Sequence, residues 1–173
     1  MNDLRQQLQS LHADAFRWAL HQAGERALAE DALQAAYEAL LNGSASCTDP
    51  RAFKSFLFGV IRNKVRSLRR RQTFWRLASL DLAALRNLPA PPDDLASRDP
   101  RAAQLRAALT KLSPRQRDIL ELVFYHELTL DQAARALNIH PGTARTHYER
   151  AKSALRNHLT PTEDACTATT TPR

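Results

Sequence analysis

Apolar residues recur along this chain at alternating spacings of four and three, the period of a helix with one buried face, and few stretches alternate as a strand would. Leu4, Leu8, Leu11, Ala15 and Trp18 set the first stripe and predict a helix from about Asn2 to Gln22, ended by Gly24. Leu33, Ala36, Tyr37 and Leu40 set the second, over about Arg26 to Leu41, with Glu30, Asp31, Gln34 and Glu38 on its outer side. A polar loop, Asn42-Gly43-Ser44-Ala45-Ser46-Cys47-Thr48, follows. Asp49 before Pro50 then supplies an N-cap and a first helical position for a third helix. Its core stripe is Phe53, Phe56, Leu57, Val60, Ile61 and Leu68, which leaves Lys54, Arg62, Asn63, Arg66, Arg69 and Arg70 toward the outside.

Beyond Arg71 the periodicity fades. Leu88 to Pro100, with Pro89, Pro91, Pro92, Asp93 and Asp94, reads as a flexible linker. Asp99-Pro100 and Ser113-Pro114 repeat the cap-then-proline signature and place helices at about 100 to 111 and 114 to 126. Thr129-Leu130-Asp131-Gln132 is a capping box, and Leu130, Ala133, Ala134 and Leu137 stripe the short helix it opens. Asn138-Ile139-His140 makes a tight turn, because Asn tolerates the left-handed conformation and Ile139 can plug the angle between helices. Pro141 then opens a helix with Ala144, Tyr148, Ala151 and Leu155 inward. Gly142, Thr143, Arg145, Thr146, Glu149, Arg150 and Ser153 point outward, and His147 sits nearer the buried edge. Two helices joined this way form a helix-turn-helix, whose second helix enters the major groove of DNA.

Composition narrows the class. With 43% hydrophobic residues and only four glycines in 173, the chain can build a core and is expected to be all-α. It reads as two small helical domains, residues 1 to 76 and 100 to 159, joined by a flexible linker over 77 to 99 and followed by a disordered tail over 160 to 173. No apolar run approaches the roughly 20 residues needed to span a bilayer and no signal-peptide core is present, so a cytoplasmic protein without stable membrane insertion is expected. Cys47 and Cys166 suit neither a disulfide framework nor a zinc site. The net charge of +7 is unevenly spread. Residues 1 to 49 hold three basic and seven acidic side chains, whereas residues 50 to 80 hold nine basic and no acidic ones. That is a polyanion-binding footprint remote in sequence from the helix-turn-helix, so nucleic acid is gripped at two places.

Leu112-Ser113-Pro114-Arg115-Gln116-Arg117-Asp118-Ile119-Leu120, then Leu128-Thr129 and Gly142-Thr143-Ala144-Arg145-Thr146, resemble region 4 of sigma-70 family factors, in the small extracytoplasmic-function (ECF) group. Ala29-Glu30-Asp31 with Gln34 and Tyr37 resembles region 2.2 of that family, and Phe53 to Asn63 resembles regions 2.3 and 2.4. Each motif alone is weak; their joint order is specific. The resemblance implies a dissociable subunit of bacterial RNA polymerase that supplies promoter choice and has no catalysis or cofactor of its own. Asp31 and Gln34, with Glu38, would face the clamp helices of the β′ subunit. Asn42, Ser44, Ser46 and the helix start at Phe53 and Lys54 would capture an unstacked base of the minus-10 element, with Arg62, Asn63, Arg66, Arg69 and Arg70 holding the strand. For the cluster 69 to 71, nonspecific contact with a polyanion is an equal alternative. The helix-turn-helix would dock on the β flap and read the minus-35 element with Thr143, Arg145, Thr146, Glu149 and Arg150. Promoter DNA and core polymerase are the implied partners, and the layout admits an anti-sigma factor as another.

Four positions depart from the family pattern. Ala35 stands where an acidic residue is usual, Phe56 where a tryptophan is, His147 where an arginine is, and His140 where a serine cap is. The two histidines also make a weak candidate metal pair. Thr143 to His147 is similar as well to the recognition helix of LuxR-type regulators, which bind duplex DNA without polymerase. That alternative needs a receiver or sensing domain of alternating strands and helices in residues 1 to 76. A nucleic-acid enzyme is disfavoured, since no metal cluster, phosphate-cradling glycine loop or activated nucleophile is evident.

Overall fold

In a computed structural model the protein is described over residues 2–78 and 100–159, which form eight helices and no strand among the described residues. The expected linker, apart from its first two residues, and the expected tail lie outside them. The first predicted helix is two: α1, Asn2–Ser10, and α2, His12–Ala23. They meet at Leu11, whose N–H still reaches the Gln7 carbonyl at 3.2 Å, so the break is a bend. Ser10 sits at the bend with its hydroxyl bonded back to the same carbonyl at 2.9 Å, a contact that competes with the helical ladder. Gly24 closes α2 at φ 70 with its N–H on the Leu20 carbonyl. Helix α3, Arg26–Leu41, has the expected bounds.

Asp49 caps the next element as expected, its carboxylate accepting from the Arg51 N–H at 3.0 Å. A single 3-10 turn, Pro50–Ala52, precedes α4, Phe53–Ala78, which continues past the point where the apolar period fades. Helices α2, α3 and α4 pack together around Trp18, whose indole N–H donates 3.0 Å to the Phe58 carbonyl. The core also includes Leu28, Leu33, Leu40, Leu57 and Ile61. Residues 2 to 78 therefore hold helices where a LuxR-type receiver would need strands.

The second half comprises α5, Pro100–Thr110; α6, Pro114–Leu120; a π-type turn, Glu121–Tyr125; α7, Leu130–Leu137; and α8, Pro141–Leu159. Ser113 and Thr129 both form complete capping boxes, with Gln116 and Gln132. Ala151 with Leu112 and Leu120 makes a small local core, joined by Leu109, Tyr148 and Leu155.

The main core does not stop at the end of α4. Ile119, Leu122, Leu128, Ala133, Ala134, Ala136, Leu137 and Ala144 belong to the same buried cluster as Trp18 and Leu57, so the second half is packed on the first. Small residues permit the approach. A Cβ added at Gly59 of α4 would stand 3.4 Å from the Ala136 carbonyl of α7, at the near limit of van der Waals contact, so little more than a methyl group could fit there. His126 lies fully buried in this seam, edge-on to Phe58 with ring centroids 4.8 Å apart and to Trp18 at 6.0 Å.

Candidate nucleic-acid interface

Helix α8 is positioned by local chemistry. Asn138 takes the left-handed conformation at φ 51 and ψ 55, Ile139 is half-buried beside the core, and Pro141 occupies the first helical position. His140 serves as the cap in place of serine. Its Nδ1 accepts from the Gly142 N–H at 3.1 Å, while its carbonyl accepts from the Thr143 N–H at 2.9 Å. Ala144 and Ala151 are buried, and Tyr148 and Leu155 half-buried. Thr143, Arg145, Thr146, Glu149 and Arg150 are all exposed, so the five side chains singled out from the sequence share one open face. The Thr146 hydroxyl donates to the Gly142 carbonyl at 3.0 Å, which leaves its oxygen lone pairs facing outward as an acceptor. Lys152, not singled out in the sequence, comes within 3.8 Å of the Glu149 carboxylate and tethers it from the next turn. Its signal was the i, i+3 spacing.

The basic helix α4 is divided by its surroundings. Asn63, Arg66, Arg69 and Arg70 are exposed, and the Arg69 guanidinium donates 2.6 Å to the Ala23 carbonyl at the end of α2. Arg62 departs from the expected outward placement. It is only 6% exposed, and its Nη1 donates 3.2 Å to the Leu137 carbonyl at the end of α7. Burial holds this guanidinium below the ordinary arginine value, with Arg115 and Arg66 nearby adding to the effect. Lys54 is half-buried, pairing with Asp14 at 2.8 Å and donating to the His126 carbonyl at 2.9 Å. Phe53 is a core side chain at 7% exposure and presents no open ring for stacking. Phe53 is buried because it belongs to the apolar stripe itself, whereas Lys54 and Arg62 lie on a second covered face of α4, which contacts α2 and the second half of the chain and which a single apolar stripe does not reveal.

The loop after α3 is shaped by its own side chains. Asn42 accepts the Ser44 N–H on its side-chain oxygen at 2.9 Å, and Gly43 takes φ 78. Asn42, Ser44 and Ser46 are exposed. Ser46, Thr48 and Asp49 line one wall of a cavity of about 460 Å³, Phe56, Gly59 and Asn63 of α4 line another, and Arg135, Ala136 and Asn138 close it from the helix-turn-helix. Arg135 and Asn138 were not singled out as wall residues, because the cavity exists only between elements far apart in sequence. Asp31, Gln34 and Glu38 lie exposed along α3, with the Gln34 amide donating 2.9 Å to the Glu38 carboxylate. Among the described residues no group of three metal-ligating side chains comes together, and no helix is long and apolar enough to cross a membrane.

Comparison with known proteins agrees with both halves. Residues 8–74 match the family description "Sigma-70 region 2", and residues 102–155 match "Sigma-70, region 4". The RNA polymerase sigma-E factor of Streptomyces coelicolor is 28% identical over 132 residues, covering 76% of this chain and 71% of that protein. The ECF RNA polymerase sigma factor SigX of Bacillus subtilis is 24% identical over 153 residues, covering 86% and 79%. Among solved structures, the sigma factor RpoE of Bartonella quintana, crystallised with the anti-sigma factor NepR, superposes with a TM-score of 0.64 at 21% identity. It covers 92% of this chain and 98% of that one, a likeness of fold.

Proposed function

The chain belongs to the ECF group of the sigma-70 family and directs promoter-specific initiation by RNA polymerase, and on that premise we propose which residues perform each part. The observation that carries the assignment is the α8 face: every side chain on it that could read a base is exposed while the opposite stripe is buried. Thr143, Arg145, Thr146, Glu149 and Arg150 read the minus-35 element. Glu149 accepts from a cytosine amino group, and Arg150 pairs with guanine or with phosphate. Residues 100 to 159 act as that module and residues 1 to 76 as the polymerase-binding and minus-10 module, with 77 to 99 as the tether.

Asp31, Gln34 and Glu38 form a polar strip for the β′ clamp helices, and exposed Phe124, Leu105 and Leu159 give the second half apolar groups for the β flap. For the minus-10 element, Ser46 and Asn63 line the 460 Å³ cavity, a volume suited to one unstacked base, and Asn42 and Ser44 are exposed earlier on the same loop. Arg66, Arg69 and Arg70 neutralise the strand beside it, and Phe53 supports the site from the core. Arg62 is held by the second half in this arrangement and reaches DNA once the halves part, whereas Lys54 would still be paired with Asp14 of α2 and joins the strand only by exchanging that partner. The chain works in the cytoplasm as a non-enzymatic subunit; the polymerase performs the chemistry. An anti-sigma factor is a further partner.

The test is purified protein mixed with bacterial core polymerase over a promoter library. Promoter-specific initiation is expected only when both are present. Promoter binding as tight without core as with it, and no initiation, would overturn the reading.

A further inference from the structure

A cleft of about 840 Å³ lies between the two halves, and six guanidinium groups line it, Arg17, Arg62, Arg66, Arg69, Arg115 and Arg117, against two carboxylates, Asp118 and Glu121. Asp118 is already committed. Its Oδ1 accepts from the Gln22 amide at 2.7 Å and lies 3.3 Å from the His21 Nε2. The cations are less well served. Arg62 is more than nine-tenths buried, and its Nε has no hydrogen-bond partner; Nη1 of Arg115 is likewise buried and unpartnered. Donors of this kind, desolvated and crowded by like charge, are sites at which an incoming oxyanion gains hydrogen bonds and relieves repulsion together.

We propose that this cleft is a binding site for a small molecule bearing two or more linked phosphates. Guanidinium groups match phosphate oxygens with paired donors, and several of them around one cleft suit a multiply charged chain rather than a single ion. The volume falls within the range of sites that enclose nucleotide-sized ligands, and Leu20, Pro114 and Tyr125 add an apolar margin. Arg17, Arg62, Arg66 and Arg69 come from the first half and Arg115 and Arg117 from the second, so an occupied site ties the two halves together and favours the arrangement in which Arg62 is covered. The cleft shares Arg62, Arg66 and Arg69 with the minus-10 grip proposed above, and its test is run without promoter or polymerase.

Calorimetric titration of the full chain tests it, with inorganic tripolyphosphate, adenosine triphosphate and a short single-stranded oligonucleotide as separate probes at about 0.1 M salt. Saturable binding of tripolyphosphate at one site is expected, weakened about tenfold by Arg115→Gln and again by Arg117→Gln, the scale of one charge-assisted hydrogen bond each. Arg145→Gln, on the α8 face, should leave it unchanged. Circular dichroism and thermal midpoints establish that each variant is folded. Tighter binding of the nucleotide than of tripolyphosphate would identify a base-bearing ligand, and equal binding the phosphate chain alone; both support the site. Binding that never saturates, or an equal loss in Arg145→Gln, would reduce the cleft to diffuse charge. Saturation by the oligonucleotide with no response to tripolyphosphate would overturn the proposal in favour of a strand channel.

Discussion

Single residues divide by whether their role is set by near neighbours in sequence. The α8 face was fully legible, because helical period and the Asn138-Ile139-His140 turn are local signals. Arg62 was not, since arginine beside Asn63 in a basic run reads as solvated, and only the Leu137 carbonyl 75 positions away explains its burial. Arg150→Ala should cost roughly 1 to 3 kcal/mol at one position of the minus-35 element. Arg70→Ala should weaken binding on every sequence and flatten the salt dependence by roughly one unit. Affinities on variant promoters at several salt concentrations separate these, and an equal, sequence-independent loss for both would remove the division of roles. His126 offers a different measurement. Burial among Trp18, Phe58 and Tyr125 lowers its pKa from 6.5 to about 4. The unfolded chain therefore takes up the proton first as pH falls, and stability is lost from pH 6.5 down towards 4. About 2 kcal/mol should disappear between pH 7 and pH 5, as read by urea denaturation. His126→Phe should remove most of that slope, and an unchanged slope in the variant would assign it elsewhere.

At the level of elements, sequence signals located the starts of helices better than their continuity. Thr129 forms the capping box its spacing predicts, Ser113 caps α6 as its cap-then-proline signature predicts and adds a box with Gln116, and Gly24 ends α2 where expected. The bend at Leu11 leaves no mark in the hydrophobic pattern, because the apolar stripe runs unbroken through it. The second buried face of α4 is not a local signal: Phe58, Ser55 and Val65 are buried off the main stripe on a helix packed by α2, α3 and α7, with the His126 ring against Phe58. The helix-turn-helix gives the clearest test of local coding. Asn138 stands at positive φ, so Asn138→Ala should destabilise the protein by about 1 kcal/mol, while Asn138→Gly should be close to neutral. Thr129→Ala removes the acceptor for the Gln132 N–H, 3.2 Å away, and should cost about 1 kcal/mol. Thermal unfolding would register both. If Asn138→Ala and Asn138→Gly fell together, side-chain contacts of Asn138 would matter more than its backbone conformation.

For the molecule as a whole, composition and charge separated the two nucleic-acid footprints but could not place them against each other. The structure packs the two halves that carry them against each other through α4 and α7, with the α8 face left open. Lys54 and Arg62 are occupied by the His126 and Leu137 carbonyls, and Ala136 closes the cavity beside Asn63. A chain in this state presents fewer cations to a minus-10 strand than the same chain with its halves apart. Ala136 is 1% exposed at the contact with α4, and Ala136→Leu overfills that contact, which typically costs about 1 to 3 kcal/mol. The cost falls on the packed state and is relieved on separation, and every 1.4 kcal/mol shifts such an equilibrium roughly tenfold. Fluorescence anisotropy with single-stranded DNA should therefore show Ala136→Leu binding up to about tenfold tighter than the parent chain when polymerase is absent. Its salt dependence should be steeper by roughly 0.7 for the one cation, Arg62, set free. On the proposed docking of the first half to the β′ clamp and the second to the β flap, core polymerase separates the halves, and the two chains should then bind alike. A gain that persisted at full size with polymerase would mean that Ala136→Leu acts on the DNA contact itself, and no gain in either setting would mean that packing of the halves does not limit access to the strand.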